Sequence, residues 1–261
     1  MNTVSLNRKP IFDAVRRLLE RGFTQAEVEL LDRAIDLALG VIVSKAMRKL
    51  GSLSERFESG GRGPGTVSGG QGDPGGVSYG TYQLSSRTGT AARFMQAEGA
   101  AWARAFGRAV PGSATFSRVW REVAAREPEA FGAAQHAFIE RTHYRPAVSK
   151  VLEETGLDLD SRHQALRDAT WSVSVQHGGA ARILTCAVKE IDTRAAREND
   201  AEYDRLLLES IYAHRSSYVL RVADRASAAS AASARTLRSI VGKRYPAELE
   251  AALAMLETEG G

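Results

Sequence analysis

Cysteine is almost missing from this chain: Cys186 is the only one in 261 residues. A single thiol excludes an internal disulfide and any metal site built from several cysteines. It lies in the apolar run Ile183–Val188 and reads as a small core residue. No apolar stretch approaches the roughly eighteen residues that a membrane-spanning helix needs. No apolar h-region follows the first methionine, which predicts synthesis in the cytoplasm without a signal peptide. Three chemical signatures are also lacking. Gly60-Gly61-Arg62-Gly63-Pro64-Gly65 has no following Lys-Ser/Thr and no preceding strand, so it is not a phosphate-binding loop. The five histidines show no HExxH spacing; His136 and His143, seven apart, share a helical face and nothing more. No GxSxG nucleophile elbow occurs. Strand–helix alternation, long β-branched runs and a repeat of fixed period are absent too.

What remains is ordinary globular material, 43% hydrophobic and 25% charged. The formal net charge is +4 and the pI about 9.3. That balance suits an anionic partner, whether nucleic acid, membrane or cell wall, without choosing among them.

Residues 1–44 read as a helical hairpin. Phe12, Val15, Leu18 and Leu19 recur at helical spacing behind Pro10, and Gly22 ends that helix. Thr24 and Glu27 have capping-box spacing before the second apolar stripe of Val28, Leu31, Ile35 and Leu37. Residues 45–261 form the main domain, mainly α with a small Gly-rich β-hairpin region, an α+β arrangement. Ser52 and Glu55 repeat the capping-box spacing, which predicts a short helix running into Glu58. Short strands or an irregular hairpin follow through Gln83. Helices are expected over about 88–98, 100–109, 115–126, 128–140, 144–155, 161–177, 179–196, 200–222, 224–241 and 245–258, with breaks at Pro111-Gly112, Pro128, Pro146, Gly156, Gly178-Gly179 and Pro246.

The stretch Phe57–Leu84 carries the strongest signal. Ten glycines fall between Gly60 and Gly80. Glycine loses more entropy on folding than any other residue, so this density implies special dihedrals or close approach to a ligand. A solvated linker would lack the closing block Ser78-Tyr79-Gly80-Thr81-Tyr82-Gln83. Glu58 lies beside Phe57, where partial burial would keep its proton on, as a general acid at a glycosidic oxygen requires; it could equally be a surface residue at a helix end. Asp73, in Gly72-Asp73-Pro74-Gly75, is first a turn residue and second a candidate second carboxylate. Ser78, Tyr82 and Gln83 offer hydrogen bonds to sugar hydroxyl and acetamido groups. Tyr79 or Tyr82 could stack on a sugar face or fill a core. In the second block, Asp168–Gly179, the residues Ala165, Asp168, Trp171, Ser172 and Val175 share one helical face. Gln176 and His177 end that helix, where its dipole would favour an imidazolium. They either line a cleft opposite Glu58 or sit satisfied in the core.

Glu58-Ser59-Gly60 followed by Ser78-Tyr79-Gly80-Thr81-Tyr82-Gln83 resembles the lysozyme-like superfamily, in which lytic transglycosylases end a helix on a Glu-Ser pair and line the cleft with a later Gly-x-Tyr-Gln segment. The Gly-rich insert and the Trp171–Gly178 block are similar to phage and secretion-associated peptidoglycan hydrolases, and to chitosanase-like enzymes in which a Glu and a downstream Asp share the work. Ile11–Arg16 and Thr24–Val28 resemble a helical segment attached to some phage-type endolysins. The resemblance implies a lysozyme-like catalytic domain and cleavage of β-1,4 bonds between peptidoglycan aminosugars. Glu58 would be the general acid and Asp73 the second carboxylate, with Ser59, Ser78, Tyr79, Tyr82, Gln83, Gln176 and His177 binding substrate. No metal and no cofactor are implied, and no nucleic acid is expected. Two alternatives stand beside it: a chitosanase- or chitinase-type glycosidase, and a non-catalytic cell-wall-binding or phage structural module. The chain would reach the wall by phage lysis or through a secretion system. The basic residues Arg221, Arg225, Arg235, Arg238, Lys243 and Arg244 would draw it to anionic envelope polymers.

Overall fold

The computed structural model describes residues 9–19, 21–24, 27–28, 31, 50–53, 63–69, 76–197, 200–227 and 231–259. The chain divides into two compact units, Met1–Lys49 and Leu50–Gly261.

In the first unit, α1 spans Lys9–Leu19. The expected capping box is formed: the Thr24 amide donates to Glu27 Oε2 at 2.9 Å, and the Glu27 amide donates to Thr24 Oγ1 at 3.3 Å. Arg21 grips the same carboxylate with two nitrogens, at 2.9 and 2.5 Å. That guanidinium, with Thr24, lowers the Glu27 carboxyl to about 2. Most of the expected second helix lies outside the described residues.

Among the described residues the second unit is helical apart from one small antiparallel sheet, as the scarcity of β-branched runs predicts. Strands β1 (Ser78–Tyr79) and β2 (Leu84–Ser85) pair with Ser78 opposite Ser85 and Tyr79 opposite Leu84. Val67 adds an isolated bridge to Tyr79. Then come α2 (Thr90–Gln96), α3 (Ala103–Phe106), α4 (Ala114–Arg126), α5 (Pro128–Ile139), α6 (Arg145–Thr155), α7 (Gln164–Gln176), α8 (Ala180–Ile191), α9 (Asp200–Ser227), α10 (Ala231–Ser239) and α11 (Tyr245–Glu259). Local chemistry sets the boundaries. Ser113 Oγ accepts from the Phe116 amide and caps α4. Gly156, at φ 70, closes α6 in the left-handed form with its amide on Leu152 O.

Two junctions share one cause. Wide π turns at Glu140–Tyr144 and Ile240–Arg244 lead into α6 and α11. Each closes two residues before a proline, Pro146 or Pro246. Proline has no N–H to give the carbonyl four residues back, so the helix widens by a residue there and continues. The break expected near 223 does not occur. Residues 220–226 contain no helix breaker, and α9 runs through to Ser227.

The core has two linked parts. Tyr79, Phe94, Phe106, Phe116, Trp120 and Phe131 form an aromatic cluster with ring centroids 4.6 to 6.3 Å apart, several of them edge to face. The other part surrounds α7, in which every residue from Ala165 to Ser174 except the half-buried Arg167 is buried, not a single face alone. Because polar residues interrupt that helix, Asp168, Ser172 and Ser174 must each find partners inside the protein.

Candidate functional site

The turn between β1 and β2 is held from below by one side chain. Gln135, fully buried in α5, accepts from the Thr81 amide at 3.1 Å and donates to Pro64 O at 3.0 Å. Trp120 Nε1 donates to the same carbonyl at 2.8 Å. Gly80 sits directly on this amide at φ 73, and a Cβ there would lie 2.1 Å from Gln135 Oε1. One glycine of the rich stretch thus has a definite cause.

The closing block divides between core and surface. Ser78 is buried, its amide donating to Ser68 Oγ at 2.8 Å and its carbonyl accepting from the Ser68 amide. Tyr79 has no exposed surface; its hydroxyl meets Ser117 Oγ at 2.9 Å and accepts from the Gly112 amide at 2.8 Å. Of the two readings for Tyr79, it fills the core and has no face open to a sugar. Tyr82 is half-buried and meets His136 Nδ1 at 2.7 Å. The His136 ring stacks on Trp171, 4.2 Å away and 12° from parallel. Gln83 folds back, Nε2 donating to Gly80 O at 2.9 Å. At φ 52 it is the one non-glycine described residue in the left-handed region, a strain that tends to persist where the surroundings over-determine the backbone.

Beneath Trp171 lies the start of the segment that leads toward Glu58. Asp168, fully buried, accepts from the Gly51 and Leu53 amides at 3.0 and 3.2 Å, from Ser52 Oγ, and from Gln164 Nε2 at 3.0 Å. It caps the helical residues Ser52 and Leu53 from across the fold, as an anion at a helix N-terminus should. Gly51, at φ 94, passes so close that a Cβ would lie 2.6 Å from Trp171 Nε1. That indole nitrogen is buried without a hydrogen-bond partner among the described residues. Glu58, Ser59 and Asp73 lie outside the described residues.

Gln176 and His177 converge on a residue that sequence reasoning missed. Arg215, fully buried in α9, donates to Gln176 Oε1 at 2.6 Å, His177 Nε2 at 3.2 Å, Ser172 Oγ at 2.9 Å and Glu248 Oε1 at 3.2 Å. Its guanidinium also lies 4.3 Å from the Tyr245 ring centre. The Tyr245 hydroxyl donates to Gln176 Oε1 at 2.8 Å. The expected imidazolium is not favoured: burial first, then Arg215 and Arg244, lower His177 to about 3. Two nearby cations and desolvation outweigh the helix dipole. The bond from Arg215 makes His177 Nε2 an acceptor and leaves the proton of the neutral ring on Nδ1. Glu248 is the counter-charge. Burial raises its carboxyl, but Arg215, Ser172 and Arg244 together outweigh that and hold it below the ordinary range. Nothing in the sequence marks Arg215, Glu248 or Gln135, since each looks like a polar residue on a helix, and the face that holds Asp168 gives no hint of its partners.

No cluster of metal-ligating side chains occurs among the described residues. His143 turns to Thr142 Oγ1 at 2.7 Å and does not join His136, because the π turn breaks the shared face. Among the described residues no helix is long and apolar enough to cross a membrane.

Comparison with known families adds what the geometry leaves open. Residues 50–233 match the family described as type VI secretion system spike protein VgrG3-like, C-terminal. The type VI secretion system spike protein VgrG3 of Vibrio cholerae serotype O1 is 38% identical over 151 residues, which is 58% of this chain and 15% of that protein. The chain therefore spans a small part of the curated relative it matches. This match runs continuously through both motif blocks, whereas the lysozyme-like resemblance rested on short separated patches. It overturns the placement in the lysozyme-like superfamily, and with it the reading as an endolysin or phage-type bacteriolytic glycosidase with Glu58 as its acid.

Proposed function

The chain belongs to the family of VgrG3-like C-terminal regions of type VI secretion system spike proteins, and from that premise we propose that it is a module carried on such a spike and delivered by the secretion system, which then adheres to peptidoglycan. The observation that carries the reading is the family match across residues 50–233. Two features support the wall as partner. The net charge of +4 suits an anionic envelope. The β1–β2 turn presents Thr81, Tyr82 and Gln83, all part-exposed, on a backbone already fixed by Gln135. A turn fixed before binding loses little entropy on binding.

The test is sedimentation of the purified chain with purified sacculi, with soluble wall fragments measured in the same tubes. Adhesion without fragments is expected, and Gln83→Ala should weaken it several-fold. A chain that stays in the supernatant removes the wall as partner. Release of soluble fragments removes the purely adhesive role. In a second arm, the chain on its spike should leave donor cells only when their secretion apparatus works; export without the apparatus defeats the delivery reading.

A further inference from the structure

The two halves of α9 treat their surface arginines differently. In the first half, Arg205 is neutralised on both sides, by Glu202 at 2.9 Å and Glu209 at 2.8 Å. In the second half Arg221 and Arg225 are exposed one turn apart, and neither forms an ion pair within the described residues. The facing helix α10 exposes Arg235 and Arg238. Arg238 donates to Asp224 Oδ1 at 2.8 Å, and this pair ties the charged rows of the two helices side by side. Lys243, exposed in the following π turn, extends the row. Five cations here face one acid.

Two ordinary causes leave most of this charge unexplained. A cation in the last turn of a helix is favoured by the dipole, which accounts for Arg225 but not for Arg221 or Arg235, nor for Arg238 and Lys243, since α10 continues through the π turn into α11. Packing does not demand it either, since α10 buries Ala234 alone. Arg244, by contrast, turns inward to Glu248 and belongs to the core.

We propose that the face formed by Arg221, Arg225, Arg235, Arg238 and Lys243 docks a phosphate-bearing anionic glycan of the envelope. Four of the five cations are arginines, whose planar fork matches phosphate oxygens in pairs. Their repetition at about 6 Å along a helix suits a polymer with repeating charge. The side chains between them, among them Ala231, Ala232, Ser233, Thr236 and Ser239, offer little apolar surface to enter a bilayer. The inference rests on the wall-adhesion reading only for where the glycan is met.

Long-chain polyphosphate is the probe, with duplex DNA, anionic phospholipid vesicles and phosphate-free sacculi in parallel. The wild-type chain should bind polyphosphate at low salt and release it as salt rises, because exposed charges are screened within about 8 Å at physiological ionic strength. Arg221→Gln, Arg225→Gln and Arg235→Gln together should weaken that binding about tenfold at low salt, leaving the Asp224–Arg238 pair intact. The triple Lys variant, which keeps the charge but loses the fork, should bind more tightly than the Gln variant and more weakly than wild type. Equal polyphosphate binding by wild type and Gln variant overturns the proposal, as does binding to duplex DNA or to vesicles as tight as to polyphosphate. Loss of sacculus adhesion with polyphosphate binding retained counts against the wall reading alone.

Discussion

Glu248 and Arg215, 33 positions apart in the chain and both without exposed surface, meet at 3.2 Å between α11 and α9. The same guanidinium holds Gln176 and His177 at the end of α7, so one ion pair joins three helices. Glu248 lies beyond the region that the spike-protein family match covers. The last helix is therefore part of the core that the matched region needs.

Removing one partner of a buried ion pair leaves the other charge uncompensated, at about 3–5 kcal/mol. Glu248→Ala should lower the thermal midpoint sharply. Replacing both residues, Arg215→Met with Glu248→Leu, should recover much of the loss, since apolar groups of similar volume remove both charges. Calorimetry of the single and double variants checks this; a double variant as unstable as the sum of its singles would refute it.

His177 gives stability a pH dependence with a definite sign. Its folded value, about 3, lies below the ordinary 6.5. Above 6.5 both states hold it neutral. Between 6.5 and 3 the unfolded chain takes up a proton that the folded chain refuses, so stability falls with falling pH across that window. His177→Gln can still accept from Arg215 but does not titrate, and should lose less stability between pH 6.5 and pH 4 than wild type. Denaturant titrations at several pH values, compared as differences, report the contribution; identical slopes would count against it.

Asp168→Ala deletes the acceptor for two amides, a hydroxyl and an amide side chain. Leaving buried donors unsatisfied costs about 1–3 kcal/mol each at most sites. Protection of the Gly51 and Leu53 amides from hydrogen exchange should drop by more than that of amides in the aromatic cluster around Trp120. Uniform loss across the domain would mean that Asp168 acts on global stability and not on this segment.

Gly80→Ala places a methyl group against the Gln135 amide at a positive φ. Gln135 is wedged between two backbone segments and cannot swing away. A loss of about 2 kcal/mol or more is expected, from left-handed strain and lost hydrogen bonds together. By contrast, Gly89→Ala has no atom within 4 Å and bears the left-handed strain alone, so it should be the milder of the two in urea unfolding. Equal losses would show that the Gln135 contact is immaterial.

Much of the architecture could be read from local signals. The apolar periods, Pro111-Gly112, Pro128, Gly156 and the Thr24–Glu27 box each act within a few residues, so α4, α5, α6 and the first-unit cap fell close to where the sequence put them. Short strands or an irregular hairpin are expected from the Gly-rich stretch through Gln83, and the hairpin forms at the end of that stretch, with its second strand just beyond, at Leu84–Ser85. The expected charge on His177 failed for a related reason: the helix dipole is a local property, while Arg215 and Arg244 arrive from elsewhere in the chain.

The sequence by itself determined the secondary-structure class, the lack of disulfides and the position of the Gly-rich turn, because these depend on short-range sterics and on composition. Only the tertiary structure decided which polar residues matter. Gln135, Arg215 and Glu248 read as unremarkable helix residues, and Asp168 as one position on a helical face, until the fold brings them, across 33 to 117 positions, onto the groups they satisfy. A buried donor or charge needs a partner but does not specify where in the chain that partner comes from, and packing alone makes the choice.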